Sequence, residues 1–145
     1  MSFAIDTNVL LYASDRGSRH WRTASELLQE WSTHDQLFYL CWPVIMGYLR
    51  ISTHPAVFAS PLDPGEAVQN IGMLLDLPHT RVLAEGPRFW RTYREITGDL
   101  PVRGNLVPDA HIAALLLEHG VREIVTNDAD FRKFDFIRVV NPFTA

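Results

Sequence analysis

Four aspartates stand where short apolar runs end or where a helix begins. Asp6 closes Phe3-Ala4-Ile5, Asp109 opens an apolar stretch that ends at Glu118, and Asp128 and Asp130 follow Glu123-Ile124-Val125-Thr126. Any one of them alone could be a helix cap or a partner for a helix dipole. Carboxylates delivered to one place from three stretches of chain have a different meaning. Two unit charges ~4 Å apart repel by about 4 kcal/mol at an effective dielectric near 20, and a hard divalent cation removes that penalty. Mg2+ and Mn2+ favour carboxylate and water oxygens and need few protein ligands. Such an ion activates water and stabilises the charge that builds on a phosphate. The chemistry within reach is metal-assisted hydrolysis of a phosphodiester.

The elements that would have to position these groups read as an alternation of strands and helices. Residues 3–5 form a first buried strand, and Thr7-Asn8 supply cap-type residues before a short helix through Ala13. In residues 19–31 Trp21, Ala24, Leu27, Leu28 and Trp31 recur at three- and four-residue spacing, which predicts an amphipathic helix. Residues 37–42 read as a second strand, and Pro43 starts a helix that stops near His54-Pro55. A helix over 66–75, a strand over 81–83 and a helix over 87–96 follow, the last with Phe89, Trp90 and Tyr93 inward. After a polar loop over 98–105, residues 109–118 are apolar almost all round and predict a deeply buried helix that Gly120 terminates. Strands over 123–126 and 138–140 complete the pattern. The alternation predicts an α/β fold with a mostly parallel central sheet, in one domain over 1–145. In such a sheet ligands gather outside the C-terminal strand ends, which is where Asp6 and Asp128 fall.

Composition narrows the classes. The 145 residues are 47% apolar and 21% charged, the profile of an ordinary globular protein that can bury its own core. A formal net charge of −4 means that a nucleic-acid ligand would need a local arginine patch. Cys41 is the sole cysteine, so it makes neither an internal disulfide nor a cysteine-based zinc site, and it reads as a small buried hydrophobe. The N-terminus lacks a basic leader and no uncharged run approaches ~18 residues. The expected location is the cytoplasm, with no membrane contact.

Three segments carry a family resemblance: Ile5-Asp6-Thr7-Asn8-Val9-Leu10, Asp109-Ala110-His111-Ile112-Ala113-Ala114, and Val125-Thr126-Asn127-Asp128-Ala129-Asp130-Phe131. In order and spacing they resemble the PIN-domain signature in the form found in VapC toxins. The resemblance implies a three-layer α/β/α PIN-like fold and a Mg2+- or Mn2+-dependent endoribonuclease. It also implies a cognate VapB-type antitoxin that blocks the site. It places catalytic and metal-holding roles on Asp6, Asp109 and Asp128, with Asp130 assisting. Asn8 and Thr126 match polar positions that orient the carboxylates or water. The aromatic-rich helices after residue 19 and after Pro43 point to a homodimer.

One departure matters. The family places a glutamate three residues before an arginine on the helix after the second strand. Here Arg50 is kept and Gly47 occupies the glutamate position. Asp128 and Asp130 with water could suffice, or Glu66 or Glu85 could fill the gap. A toxin branch with Trp-Pro at the strand exit and Leu-Arg-Ile-Ser-Thr-His-Pro beyond it shares this gap. The alternative is a PIN-fold module that binds RNA or protein with weak or no catalysis.

Other features resolve more simply. The six histidines include no His-x-x-x-His pair, and His111 falls two residues after Asp109, pointing away from it on a helix. Arg50 and Arg103 are candidates for RNA phosphate contacts. Trp21, Trp31, Trp42 and Trp90 read as core or dimer contacts rather than base-stacking platforms. A dinucleotide enzyme would need glycines after the first strand, and Asp6-Thr7-Asn8 has none. A haloacid-dehalogenase-type phosphatase would need a second aspartate where Asn8 stands.

Overall fold

A computed structural model describes residues 2–144. Five strands form one sheet in the order β3-β2-β1-β4-β5. They are β1 (Phe3–Ile5), β2 (Phe38–Cys41), β3 (Thr80–Leu83), β4 (Glu123–Val125) and β5 (Arg138–Val140). Every pairing is parallel. Between them run α1 (Thr7–Ala13), α2 (Trp21–Thr33), α3 (Trp42–Ser52), α4 (Pro64–Leu75), α5 (Phe89–Thr97) and α6 (Leu106–Glu118). Crossovers leave β1 toward β2 and β3, whereas the connection from β3 returns past β1 to β4. Right-handed connections in opposite directions put helices on both faces of the sheet. The reversal also opens a crevice between the C-terminal ends of β1 and β4.

Local chemistry explains most element ends. The Asp63 carboxylate accepts the Gly65 N–H and Pro64 starts α4, two residues before the expected position. Helix α6 starts at Leu106, three residues ahead of Asp109. Pro108 is tolerated there because first-turn N–H groups have no partner within the helix. At its other end Gly120 takes φ 73°, where the Gly120 and Val121 N–H groups reach Leu117 and Leu116 carbonyls. This doubly bonded stop needs the left-handed conformation that glycine adopts freely. A 3-10 turn over Ala129–Lys133, absent from the sequence expectation, is capped by Asp128, whose carboxylate accepts the Asp130 N–H.

The core centres on the sheet and α6. Phe38, Leu40, Val44, Ala113, Leu115 and Ile124 are fully enclosed, as is the Cys41 thiol, which burial pushes up to about 12. Burying the phenylalanine, leucine, valine and isoleucine side chains among them contributes roughly 1.5–3 kcal/mol each. Trp31 packs on Phe3 at 5.0 Å between ring centroids. Of the tryptophans expected in the core or at a dimer contact, Trp42 and Trp90 are 43% and 65% exposed, so neither is a core residue. On α5 it is Phe89, Tyr93 and Ile96 that meet the core, and Trp90 turns outward. Among the described residues no helix is long and apolar enough to cross a membrane.

Candidate metal centre

Asp6 leaves β1 at the crevice and is buried, with 6% exposure. One carboxylate oxygen accepts the Thr7 N–H at 2.7 Å and so caps α1. The other accepts the Thr126 hydroxyl at 2.6 Å and the Asn8 amide at 3.3 Å. Asn8 also donates to Thr126 Oγ1 at 3.0 Å and accepts the Asn127 N–H at 3.2 Å. Thr126 Oγ1 in turn accepts the Asp128 N–H at 2.9 Å. Asp6, Asn8, Thr126 and Asp128 thus form one connected polar group that ties the end of β1 to the end of β4.

Asp109, in the first turn of α6, faces that group. Asp109, Asp128 and Asp130 each offer an oxygen, and these oxygens lie within 4.8 Å of one another. Asp6 stands outside this closest set but inside its field. The Asp109 carboxyl is pushed up to about 7, first by burial and then by the charges of Asp128, Asp6 and Asp130. Asp6 is also raised, by burial above all and further by Asp128, against the hydrogen bonds from Thr126 and Thr7. Asp130 is exposed and pairs with Lys133 at 3.4 Å. Among the described residues no cationic side chain is ion-paired with Asp6, Asp109 or Asp128. Converging carboxylate oxygens, of which only Asp130 is ion-paired among the described residues, fit a hard divalent cation.

The remaining expected residues are dispersed. Arg103 is exposed on the loop that leads into α6, at the Asp109 end of that helix. Arg50 is exposed in the last turn of α3, about 12 Å along the helix axis from Trp42. Neither Glu66 nor Glu85 joins the carboxylate group. Glu66 lines a groove with Leu10, Trp21 and Leu74. Glu85 instead meets His111 at 2.6 Å, and that hydrogen bond holds its carboxyl below the usual range. The Gly47 position faces the start of α1. A Cβ there would lie 3.4 Å from Thr7 Oγ1, an ordinary contact. Gly47→Ala is therefore expected to stabilise the protein by about 0.5–1 kcal/mol through helix propensity, read as a higher urea midpoint. A lower midpoint would mean that α3 needs the bare backbone.

Sequence reasoning missed an outer brace. Asn127 donates to the Tyr12 hydroxyl at 3.0 Å and accepts from the Asn141 amide at 2.9 Å. The Tyr12 ring packs edge-on against Phe143, at 5.0 Å. The segment after β5 thereby supports the turn that carries Asp128. Asn127 lies inside the motif around Asp128, but nothing local marks Asn141 or Tyr12 as its partners.

Parallel strands, a reversal at β1 and acidic groups at that reversal define a class. Residues 3–137 match the family described as PIN domain, and the chain belongs to that family. Its similarity within the family is to VapC ribonucleases. It is 43% identical over 144 residues to Ribonuclease VapC48 of Mycobacterium tuberculosis, covering 99% of both chains. It is 32% identical over 138 residues to VapC ribonuclease Mb2897 of Mycobacterium bovis, covering 95% of this chain and 93% of that one. Solved structures share the fold at low identity. The VapBC-1 structure from nontypeable Haemophilus influenzae superposes with a TM-score of 0.70 at 13% identity, over 99% of this chain and 100% of that chain. Mycobacterium tuberculosis VapC20, described as a Sarcin-Ricin loop cleaving toxin, superposes with a TM-score of 0.66 at 17% identity, over 90% and 92%.

Proposed function

We propose that this PIN-domain protein is a VapC-type toxin that cuts cellular RNA internally with Mg2+ or Mn2+ held by Asp6, Asp109 and Asp128. The observation that carries the reading is the convergence of Asp109, Asp128 and Asp130 at the β1/β4 crevice within the field of Asp6, with only Asp130 ion-paired among the described residues. A bound ion would supply Lewis-acid polarisation of a phosphate and a water of lowered pKa. The chain's own groups do the rest. Thr126 and Asn8 fix the rotamer of Asp6, and the Thr126 hydroxyl also holds the backbone of Asp128. Asp130 adds a further oxygen at the open side of the cluster. Arg103, and at greater distance Arg50, would meet RNA phosphates. The test is cleavage of RNA by purified protein with Mn2+ against the same reaction in chelator. Cleavage that ignores the chelator would sink the metal assignment.

The partner in this reading is a VapB-type antitoxin, with an arginine as the natural plug for the carboxylates. The protein would act in the cytoplasm as a homodimer, for which Trp42 and Met46, one turn apart and exposed on α3, supply an apolar contact. A mass by light scattering that stays near 16.5 kDa at all concentrations would remove the dimer. Gly47 favours a second reading, a PIN-fold binding module with weak or no catalysis. Mn2+ binding without RNA cleavage would select it.

A further inference from the structure

Helix α5 carries a surface that neither the core nor the acidic site uses. Trp90 is 65% exposed, an unusual position for the largest apolar side chain. It is nonetheless ordered by a neighbour. Its ring stacks on Tyr93 with centroids 5.7 Å apart and planes 7° from parallel. Tyr93 lies 6.2 Å from Phe89, and Phe89 meets the His111 ring edge-on at 5.2 Å. His111 stands two residues after Asp109. A row of four rings therefore runs from open solvent to the first turns of the helix that carries Asp109.

Charge runs along the same helix. Arg88, Arg91 and Arg94 recur every third residue and are exposed, and none has an ion-pair partner among the described residues. Of the nearby acids, Glu118 accepts the Gly86 and Arg88 backbone N–H groups, and Glu85 is turned onto His111. Glu95 is the remaining acid on the helix. A two-fold contact of α5 with a second copy would bring these arginines toward one another. A polyanion would neutralise them. Aromatic faces interleaved with arginines suit unpaired nucleobases and their phosphates.

We propose that Trp90 and Tyr93 form a stacking platform for unpaired bases of the RNA substrate, with Arg91 and Arg94 on the adjoining phosphates, guiding the strand along α5 toward Asp109. This rests on the ribonuclease reading and extends it to substrate grip. Base stacking on an aromatic side chain is worth a factor of about 5–150 in affinity. Trp90→Ala should weaken binding of a short single-stranded RNA by such a factor, measured by filter retention in chelator. With Mn2+ present it should raise KM far more than it lowers kcat. Trp90→Phe should recover most of the loss, and both variants should melt like wild type because the ring is exposed. Unchanged RNA affinity in Trp90→Ala overturns the platform even where cleavage stands. A variant that binds RNA normally but changes its mass in solution identifies α5 as a contact between copies, and also overturns it. Wild type that binds RNA through Trp90 but does not cut it would retain the platform and end the ribonuclease reading. Absence of any RNA binding ends the platform.

Discussion

Asp6→Asn is expected to cut RNA slower than wild type by on the order of 10²- to 10³-fold with saturating Mn2+, a loss typical of removing a group that stabilises transition-state charge. Asparagine preserves the shape of the side chain and can still accept the Thr7 N–H that caps α1. It removes the charge that an ion at the β1/β4 crevice would feel. The fold should survive at some cost. The new amide nitrogen would face the Asn8 amide and the Thr126 hydroxyl, which lose their acceptor. This is offset in part because the Asp6 carboxylate is already disfavoured by burial and by Asp128. Asp6→Ala makes the contrast. It should lose activity equally but also lose stability. The Thr126 hydroxyl, the Asn8 amide and the Thr7 N–H would all be deprived of an acceptor. A buried unsatisfied donor costs about 1–3 kcal/mol, and a lost cap adds about 1 kcal/mol. Similar activity losses with a clearly smaller melting loss in Asp6→Asn than in Asp6→Ala would separate the chemical role of Asp6 from its structural one. Equal cleavage by wild type and Asp6→Asn would remove Asp6 from the site or reveal a contaminating nuclease.

Asp109→Asn should raise the stability of the metal-free protein at neutral pH. The Asp109 carboxyl rises from its ordinary 3.8 to about 7 in the folded chain. Between those values the folded protein binds more protons at this site than the unfolded chain does. Stability therefore falls as pH climbs through that window, and the loss is complete above about 7. Asparagine carries no such proton, so the variant's melting temperature should depend less on pH and exceed that of wild type at pH 7. Asp109 is only partly buried, so solvent screening holds the gain to on the order of 1 kcal/mol. That corresponds to a rise of about 2–4 °C. Mn2+ should reverse the order, since it stabilises the folded wild type by mass action and finds a poorer site in the variant. The opposing effect is the favourable charge of Asp109 at the α6 N-terminus, worth about 0.3–1 kcal/mol. A variant that melts lower in chelator and responds to Mn2+ like wild type would assign Asp109 to that role and exclude it from the metal centre.

The chain announces its elements and their acidic ends through local chemistry. Runs such as Phe3-Ala4-Ile5 and Glu123-Ile124-Val125 read as buried strands in an alternating α/β pattern, and each is followed by an aspartate within a few residues. Helix α6 is legible because almost every position after Asp109 is apolar. The family signature falls on the same stretches, so the PIN fold is readable without coordinates, and Asp6, Asp109 and Asp128 stand out there as candidates. What local order does not contain is adjacency. The Thr126 hydroxyl reaches Asp6 across 120 residues only because β4 inserts beside β1. Tyr12, Asn127 and Asn141 meet because β5 then follows β4 at the sheet edge. Trp90 is misread from its neighbours in sequence because burial is a property of the surface a side chain is offered. On α5 that surface accommodates Phe89 and Tyr93, and the helix rotation that places them leaves Trp90 in water.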